Sequence, residues 1–281
     1  MSYILSAFAD EYSQALEGQL EGLAKSGITH LEPRFIDGKS ISDLTREEAT
    51  RVAKMLKNAG ISVYSVGSPI GKVSLDAPHR DHLDLARRTL ESARTLGATR
   101  MRVFSYYLPS GTSRADARSE VIDRLGELLD LAADYGVTLC HENEAKIYGE
   151  SPEDAHDLIT ATGGRLRAVF DMGNLALMGY DPMAAYGLLA EYVDYFHIKD
   201  ALAAGAIVPP GLGEARIADI LTAHLSRTSS DTVLTLEPHL ETFSGLGRLT
   251  DSDFENPYKY ETPEEAFLDA AARLWEIVKA I

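Results

Sequence analysis

The stretch Val137-Thr-Leu-Cys-His-Glu-Asn-Glu144 reads as a short apolar strand that ends in carboxylates. A charged side chain at the end of a buried strand needs a partner, such as a metal ion or a proton relay, because burying an unpaired charge is unfavourable. Three later stretches end in the same way, namely Ala168-Val-Phe-Asp171, Tyr195-Phe-His197 and Leu234-Thr-Leu-Glu237. They follow one another at intervals of about 25 to 40 residues, the length of one strand plus one helix. The four polar ends are therefore predicted to meet at one rim of a closed parallel barrel.

Glycines that precede strand-like runs form a repeat in the first half of the chain. Gly27, Gly60, Gly97 and Gly136 each stand just before such a run, at intervals of 33, 37 and 39 residues. Glycine readily takes the left-handed conformation that ends many helices, so each is read as a helix stop followed by a strand. This repetition predicts a parallel sheet with helical crossovers. We therefore expect a single (β/α)8 TIM-barrel domain over residues 1–281, with its active site at the C-terminal ends of the strands.

The individual elements can be placed from apolar periodicity and from helix start signals. Thr45-Arg-Glu-Glu48 has the spacing of a capping box, for example. Strands are expected at 3–9, 30–34, 61–67, 100–105, 137–144, 166–171, 193–199 and 232–237. Helices are expected from about residue 13, over 45–58, 79–96 and 115–135, from 151, over 181–191 and 215–227, and from 262. The patternless stretch 242–260 is expected to be a functional or covering loop.

Composition excludes several classes of protein. The 281 residues are 45% hydrophobic and 25% charged, which is ordinary for a soluble globular protein. The formal net charge of −16 repels a phosphate backbone, so no nucleic-acid partner is expected. The single Cys140 cannot form an intramolecular disulfide, which favours the reducing cytoplasm. No stretch resembles a secretory signal or approaches the ~20 apolar residues of a membrane span, so no membrane partner is expected.

Strand alternation offers a test of the metal hypothesis. If Glu142, Asp171, His197 and Glu237 point into the barrel, the residues two positions earlier point inward as well, one layer deeper. The intervening residues then face the helices. Three of these four are bulky and apolar, namely Phe170, Phe196 and Leu236, and the exception is His141. We expect His141 either to pack there or to support a ligand residue from behind. Three carboxylates and one imidazole suit Mn²⁺, Mg²⁺ or Co²⁺ better than a structural Zn²⁺, which is the next candidate.

Five motifs in order resemble those of a known family. They are His141-Glu-Asn-Glu144, Phe170-Asp-Met-Gly-Asn174, His197-Ile-Lys-Asp200, Pro210-Gly-Leu-Gly213 and Leu236-Glu-Pro-His239. Together they are similar to the motif series of the xylose-isomerase-like TIM barrels, the sugar phosphate isomerase/epimerase group. Each motif alone is weak, but five in order at the spacing of strand and helix units are fairly specific.

The resemblance implies a metal site and a reaction. It implies that Glu142, Asp171, His197 and Glu237 hold a divalent ion that bridges the carbonyl and adjacent hydroxyl of a sugar. It also implies that Glu142 and Glu237 act as an acid/base pair on either face of the carbon between them. One position departs from the ketose 3-epimerases, which carry a substrate-contacting His where this chain has Asn174. That departure puts the specific 3-epimerase assignment in doubt.

Other polar residues near the strand ends are candidates for substrate binding, each with a structural alternative. Lys199 suits a substrate hydroxyl or phosphate, or a structural ion pair. Glu144 suits sugar contact or a rim salt bridge. The full set of predicted substrate-binding residues is Lys199, His239, Glu144, Asn174, Arg34 and Arg102. Asp10, Glu11 and Glu32 are further site candidates, whereas His79, His82, His156 and His224 fall on predicted helices and are expected to be solvated.

These observations predict a divalent-metal-dependent isomerase or epimerase that moves a proton α to the carbonyl of a ketose or related polyol ketone. The first alternative is a metal-dependent lyase or dehydratase that acts on a keto-inositol or 3-keto-glycoside and expels a β leaving group after the same proton abstraction. The second is a binding protein that keeps the barrel without turnover. The expected partner is a small sugar or polyol, and a homo-oligomer is compatible with this interpretation.

Overall fold

A computed structural model describes residues 3–203, 205–240 and 258–281 of the chain. Its central feature is one parallel sheet rolled into a nearly closed barrel. The strand segments of this sheet, in chain order, are β1 (Tyr3–Ala7), β2 (His30–Leu31), β3 (Ser62–Val63), β4 (Ser65–Gly67), β5 (Arg100–Val103), β6 (Thr138–Glu142), β7 (Arg167–Asp171), β8 (Val193–Ile198) and β9 (Thr232–Leu236).

The order of the segments shows how the barrel closes. They neighbour one another in the order β3-β2-β1-β9-β8-β7-β6-β5-β4, so the two ends of the sheet are consecutive in the chain and separated by Tyr64 alone. Ser62 of β3 pairs with His30 of β2, whereas Ser65 of β4 pairs with Arg100 of β5. The barrel thus has eight strand positions, the third of which is divided between two segments. The predicted TIM-barrel fold is confirmed.

Helices follow the strands and cover the outside of the barrel. Gly27, Gly60 and Gly97 end the first three in the left-handed conformation, with φ of 69°, 70° and 80°. The predicted capping box of Thr45 and Glu48 is present. The α-helices in the described ranges are α1 (Leu16–Ser26), α2 (Arg46–Ala59), α3 (His79–Leu96), α4 (Arg114–Asp134), α5 (Pro152–Ala161), α6 (Met172–Leu177), α7 (Pro182–Leu189), α8 (Ile217–Leu225) and α9 (Pro263–Ala280).

Several predicted bounds differ from the observed ones. The strand expected over 30–34 ends at Leu31, because Pro33 has no N–H to continue the ladder. The helix α6 was not predicted, and it begins one residue after Asp171. Of the patternless stretch 242–260, residues 242–257 lie outside the described part of the chain.

Side chains alternate between the barrel interior and the helical layer as expected. Cys140, Val169, Tyr195 and Val233 form a small apolar cluster of their own inside the barrel. Phe170, Phe196 and Leu236 instead belong to the larger apolar core that includes the helices. The interior layer therefore forms the floor beneath the polar strand ends.

Two histidines contradict the expectation that helix-borne histidines are solvated. His82 is buried, and its Nε2 accepts the N–H of Gly71 at 3.0 Å. Burial lowers the pKa of His82 to about 4. His224 is buried between the Tyr186 hydroxyl at 3.0 Å and Thr232 Oγ1 at 3.2 Å. Both are buried with hydrogen-bond partners, and a buried imidazole is tolerated under that condition.

Among the helices of the three described ranges, none is both long and apolar enough to cross a bilayer. The expectation that residues 1–281 form one domain stays a prediction.

Candidate active site

Four side chains from consecutive barrel positions converge at the C-terminal rim. Glu142 ends β6, Asp171 ends β7, His197 lies near the end of β8, and Glu237 directly follows β9. All four are buried, and one potential ligand atom from each lies within 4.8 Å of the others. His197 Nδ1 is 3.3 Å from Glu142 Oε1 and 3.2 Å from Glu237 Oε2. Atoms bound to one ion at ~2.0–2.3 Å lie roughly 3 Å apart, so these separations fit a shared cation.

The donor atoms themselves support that fit. His197 Nδ1 and Glu237 Oε2 are buried and make no hydrogen bond with acceptable geometry to any described residue. Buried polar atoms without partners are rare, and a cation between them would satisfy both. The charges agree. The rim buries the carboxylates Asp10, Glu11, Glu32, Glu142, Asp171 and Glu237 against the cations Arg34, Arg102 and Lys199.

Asp171 is fixed by contacts on both sides. Its Oδ1 accepts the N–H of Asn174 at 2.8 Å and so caps α6, while its Oδ2 accepts Lys199 Nζ at 3.0 Å. The amide of Asn143 bonds both backbone groups of Asp171, at 2.7 and 3.1 Å. Burial raises the pKa of Asp171 to about 6, against the opposing effect of Lys199. The helix α6, which the sequence did not predict, is thus capped by a predicted metal ligand.

Each of the two proposed acid/base glutamates divides its oxygens between the ligand cluster and an arginine. Glu142 Oε2 lies 3.0 Å from Arg102 Nη1, and Glu237 Oε1 accepts Arg34 Nη1 at 3.0 Å. Burial raises the pKa of Glu142, but Arg102 and His197 outweigh it and hold that pKa at about 2. Burial also raises the pKa of Glu237, but Lys199 and His239 outweigh it and hold that pKa well below its usual range. Both glutamates are therefore ionised at neutral pH.

Residues of the turn after β1 hold Arg34 by hydrogen bonds and contact both arginines through an aromatic ring. Arg34 donates to Asp10 at 3.0 and 3.2 Å and to Glu11 Oε1 at 3.2 Å. The ring of Phe8 lies 4.3 Å from the Arg34 guanidinium and 5.4 Å from that of Arg102. Phe8 thus lies between the two cations as part of the pocket floor.

His239 connects Glu237 to Glu11. Its Nδ1 is 2.8 Å from Glu11 Oε1, its Nε2 is 3.1 Å from Glu237 Oε1, and its backbone N–H donates to Glu11 Oε2 at 2.7 Å. The residue takes the left-handed conformation with φ of 49°, which is uncommon outside glycine and asparagine. Burial lowers the pKa of His239, but Glu11 more than compensates, so that pKa is raised.

The remaining predicted substrate-binding residues fall at two depths. Lys199 Nζ is 3.0 Å from Asn174 Oδ1, and Asn174 Nδ2 is 3.3 Å from Glu142 Oε1, so both lie beside the ligand cluster. Glu144 instead accepts Lys72 Nζ at 3.0 Å farther out on the rim, with Lys72 over the ring of Phe104. His141 points away from the cluster, with Nε2 at 2.9 Å from Ser105 Oγ, as its opposite strand parity requires.

Sequence reasoning missed Phe8, Lys72 and the clamp that Asn143 forms on Asp171. Phe8 could have been found, because it has the inward parity of Ser6 at the end of the first strand. Lys72 could not, because its position depends on the path of a loop.

The Asp200 carboxylate organises the loop after β8. It accepts the backbone N–H groups of Ala201, Gly211, Gly213 and Ala215 at 2.9, 2.8, 2.9 and 3.1 Å. The glycine-rich motif 210–213 therefore wraps around a carboxylate of the chain itself. A Cβ on Gly213 would lie 2.2 Å from Asp200 Oδ1 and 2.6 Å from the Ala201 carbonyl oxygen.

We expect Gly213→Ala to lower the free energy of unfolding by about 2 kcal/mol, because the loop must shift and loosen its bonds to Asp200. Urea unfolding measures this. The matched control is Gly187→Ala in α7, where a Cβ meets nothing within 4 Å. That variant should gain ~0.5–1 kcal/mol from helix propensity. Equal effects of the two substitutions would contradict the role given to the close approach.

Comparisons with known proteins agree with the barrel fold. A family model described as xylose isomerase-like TIM barrel matches residues 20–274. L-ribulose 3-epimerase superposes with a TM-score of 0.76 at 20% identity, covering 100% of this chain and 95% of that one. The IolI protein with a binding zinc atom gives 0.76 at 18%, covering 100% and 99%. The probable 3-DHS dehydratase AsbF from Bacillus anthracis gives 0.74 at 14%, covering 98% and 99%. No curated protein matches the sequence.

Proposed function

Since the chain belongs to the xylose isomerase-like TIM barrel family, we propose that it is a divalent-metal-dependent isomerase or epimerase acting on a ketose or related polyol ketone. The reaction moves a proton at the carbon α to the carbonyl. The observation that carries the proposal is the matched pair of glutamates. Glu142 and Glu237 each direct one oxygen at His197 Nδ1, at 3.3 and 3.2 Å, and the other at an arginine.

The ion would be held by Glu142, Asp171, His197 and Glu237. When bound, it supplies positive charge that stabilises the negative charge developing on the substrate oxygen. Three carboxylates and one imidazole favour Mn²⁺, Mg²⁺ or Co²⁺, with Zn²⁺ as the next candidate. Metal analysis of protein purified without added metal would distinguish these ions.

The chain's own residues then have separate tasks. Glu142 and Glu237 accept and return the proton, one on each face of the reacting carbon. Arg102 and Arg34 fix the orientation of these carboxylates, and Arg102 also helps to keep Glu142 ionised. Lys199, Asn174 and His239 lie beside the cluster with donors and acceptors that suit sugar hydroxyls, and Glu144 contacts the outer end of the substrate. Because low pKa values make both glutamates weak bases, the reacting carbon must be acidified by the charge around its carbonyl.

Deuterium exchange tests the proposal. Ketoses and other polyol ketones incubated with Mn²⁺-loaded protein in D₂O should gain deuterium at one carbon, and NMR would locate it. Absence of exchange in every candidate would count against the isomerase or epimerase. Tight binding of a sugar without exchange would favour the binding protein instead.

A lyase or dehydratase is the second candidate, and Lys199 is the observation that favours it. Its ammonium, 3.0 Å from both Asp171 Oδ2 and Asn174 Oδ1, carries protons that a departing hydroxyl could accept. The presence of Asn174 in place of the histidine of ketose 3-epimerases is compatible with such a change of reaction. Mass spectrometry of the product separates the two candidates, since elimination loses water or an aglycone and isomerisation loses nothing.

The cytoplasmic location and a homo-oligomeric state stay predictions. Size-exclusion chromatography with light scattering would test the second of them.

A further inference from the structure

We propose that Glu32 is a positioning residue that holds His197 in the tautomer whose Nδ1 can bind a cation. The inference rests on the proposed metal site, and it adds a residue that lies beneath the ligands and contacts no substrate. Glu32 directly follows β2 and is 1% exposed.

The geometry around His197 is two-sided. Nε2 lies 3.4 Å from both carboxylate oxygens of Glu32, whereas Nδ1 faces Glu142 and Glu237 on the opposite side of the ring. A neutral imidazole has one N–H and one lone pair. Because a carboxylate only accepts, the proton is drawn to Nε2 and the lone pair is left on Nδ1. Such a carboxylate–histidine arrangement is what orients histidine ligands in many metal sites.

The surroundings of Glu32 keep it in the accepting role. Its Oε1 accepts the Tyr195 hydroxyl at 2.8 Å, and its Oε2 accepts Thr235 Oγ1 at 2.7 Å. Since Tyr195 donates its proton to Glu32, Ser65 Oγ at 2.9 Å from the Tyr195 oxygen must be a donor too. The two hydroxyl groups that bond the carboxylate in the described part of the chain, those of Tyr195 and Thr235, thus both donate to it.

Aromatic rings fix the rotation of the imidazole. The ring of His197 makes edge-to-face contacts with Phe8 and Tyr195, with centroids 5.0 and 5.5 Å apart. These contacts restrict rotation about Cβ–Cγ, so the orientation of the ring comes from packing and its tautomer from Glu32. Among the described residues, Glu32 makes its ion-pair contact with His197 and not with an arginine. This argues against a role as the counterion of an arginine.

The test compares cation affinity in Glu32→Gln and wild type. An amide offers one accepting oxygen to three donors and carries no charge, so Nε2–H loses its partner. Isothermal titration calorimetry of the chelator-treated proteins with Mn²⁺ should show that Glu32→Gln binds the ion 10-fold to 100-fold more weakly than wild type. The control is Asp194→Asn, which removes an acid that bonds Arg100 at 2.9 and 3.3 Å near the other end of the barrel. It should lower stability and leave Mn²⁺ affinity within about 3-fold of wild type, as expected of a site with which it shares no contact.

A second readout does not depend on the variant folding. In ¹⁵N-labelled, Zn²⁺-loaded wild type, the proposal requires that His197 carry its proton on Nε2, which a long-range ¹H–¹⁵N NMR experiment detects. A proton on Nδ1, or equal Mn²⁺ affinities of Glu32→Gln and wild type, would overturn the inference. Failure of the wild type to bind any divalent ion would instead reject the metal site, so the two proposals fail by different results.

Discussion

Glu142→Gln and Glu237→Gln, measured at saturating Mn²⁺, should each lower interconversion of the substrate and product epimers by about 10³-fold. An amide cannot accept the proton, and the arginine that orients each glutamate then faces a neutral group. Exchange should behave differently from interconversion. If the two glutamates act on opposite faces of one carbon, each variant still exchanges deuterium into the epimer whose C–H faces the surviving carboxylate. Proton NMR in D₂O, started separately from each epimer, measures both quantities.

The control for this experiment is again Asp194→Asn, which removes a half-buried carboxylate that pairs with Arg100 away from the ligand cluster. Its rates should stay within about 3-fold of wild type. Should either glutamine variant exchange both epimers at the wild-type rate, the acid/base pair would be wrong. Loss of exchange from both epimers in one variant would point to a single base serving both faces.

The polar strand ends could be predicted because a two-residue period and a short strand leave few choices. Asp171 and His197 must point inward if Phe170 and Phe196, one position earlier on the same strands, pack against helices, and the structure places these side chains so. The repeated glycines located the helix ends for a similar local reason, since φ near 70° excludes most other residues.

The contacts among those residues could not be predicted in the same way. Arg34 bonds Glu237 across 203 positions of sequence, and Glu32 meets His197 across 165. Which inward side chains contact one another depends on the stagger of the strands around the barrel and on the side-chain rotamers. The residue pattern of a single strand determines neither. The division of the third strand at Tyr64 has the same origin, because its two halves pair with different neighbours.

Adding a divalent ion to chelator-treated protein should raise its melting temperature, and His197→Ala should abolish that rise. Without an ion, the rim buries more carboxylates than cations, and Glu142 and Glu237 both face the same nitrogen. An ion that binds the folded state alone at 100 times its dissociation constant adds about 2.7 kcal/mol, or roughly 5–10 °C for a chain of this size. Differential scanning calorimetry over a range of Mn²⁺ concentrations measures the rise. Removing the imidazole deletes a central ligand, so the expected residual shift is below ~1 °C.

His141→Asn is the matched control for that experiment, because it removes an imidazole one residue from a predicted ligand but on the opposite face of the strand. His141 is buried against Ser105 and Gly149, so its loss should lower the melting temperature in the absence of ion. The Mn²⁺-dependent rise should nevertheless persist in full, since no ligand changes. A rise that survives in His197→Ala, or disappears in His141→Asn, would mean that the ion binds outside the four converging strand ends. Two strand histidines that point to opposite faces of the sheet thereby distinguish a specific cation site from a general effect of metal ions on an acidic protein.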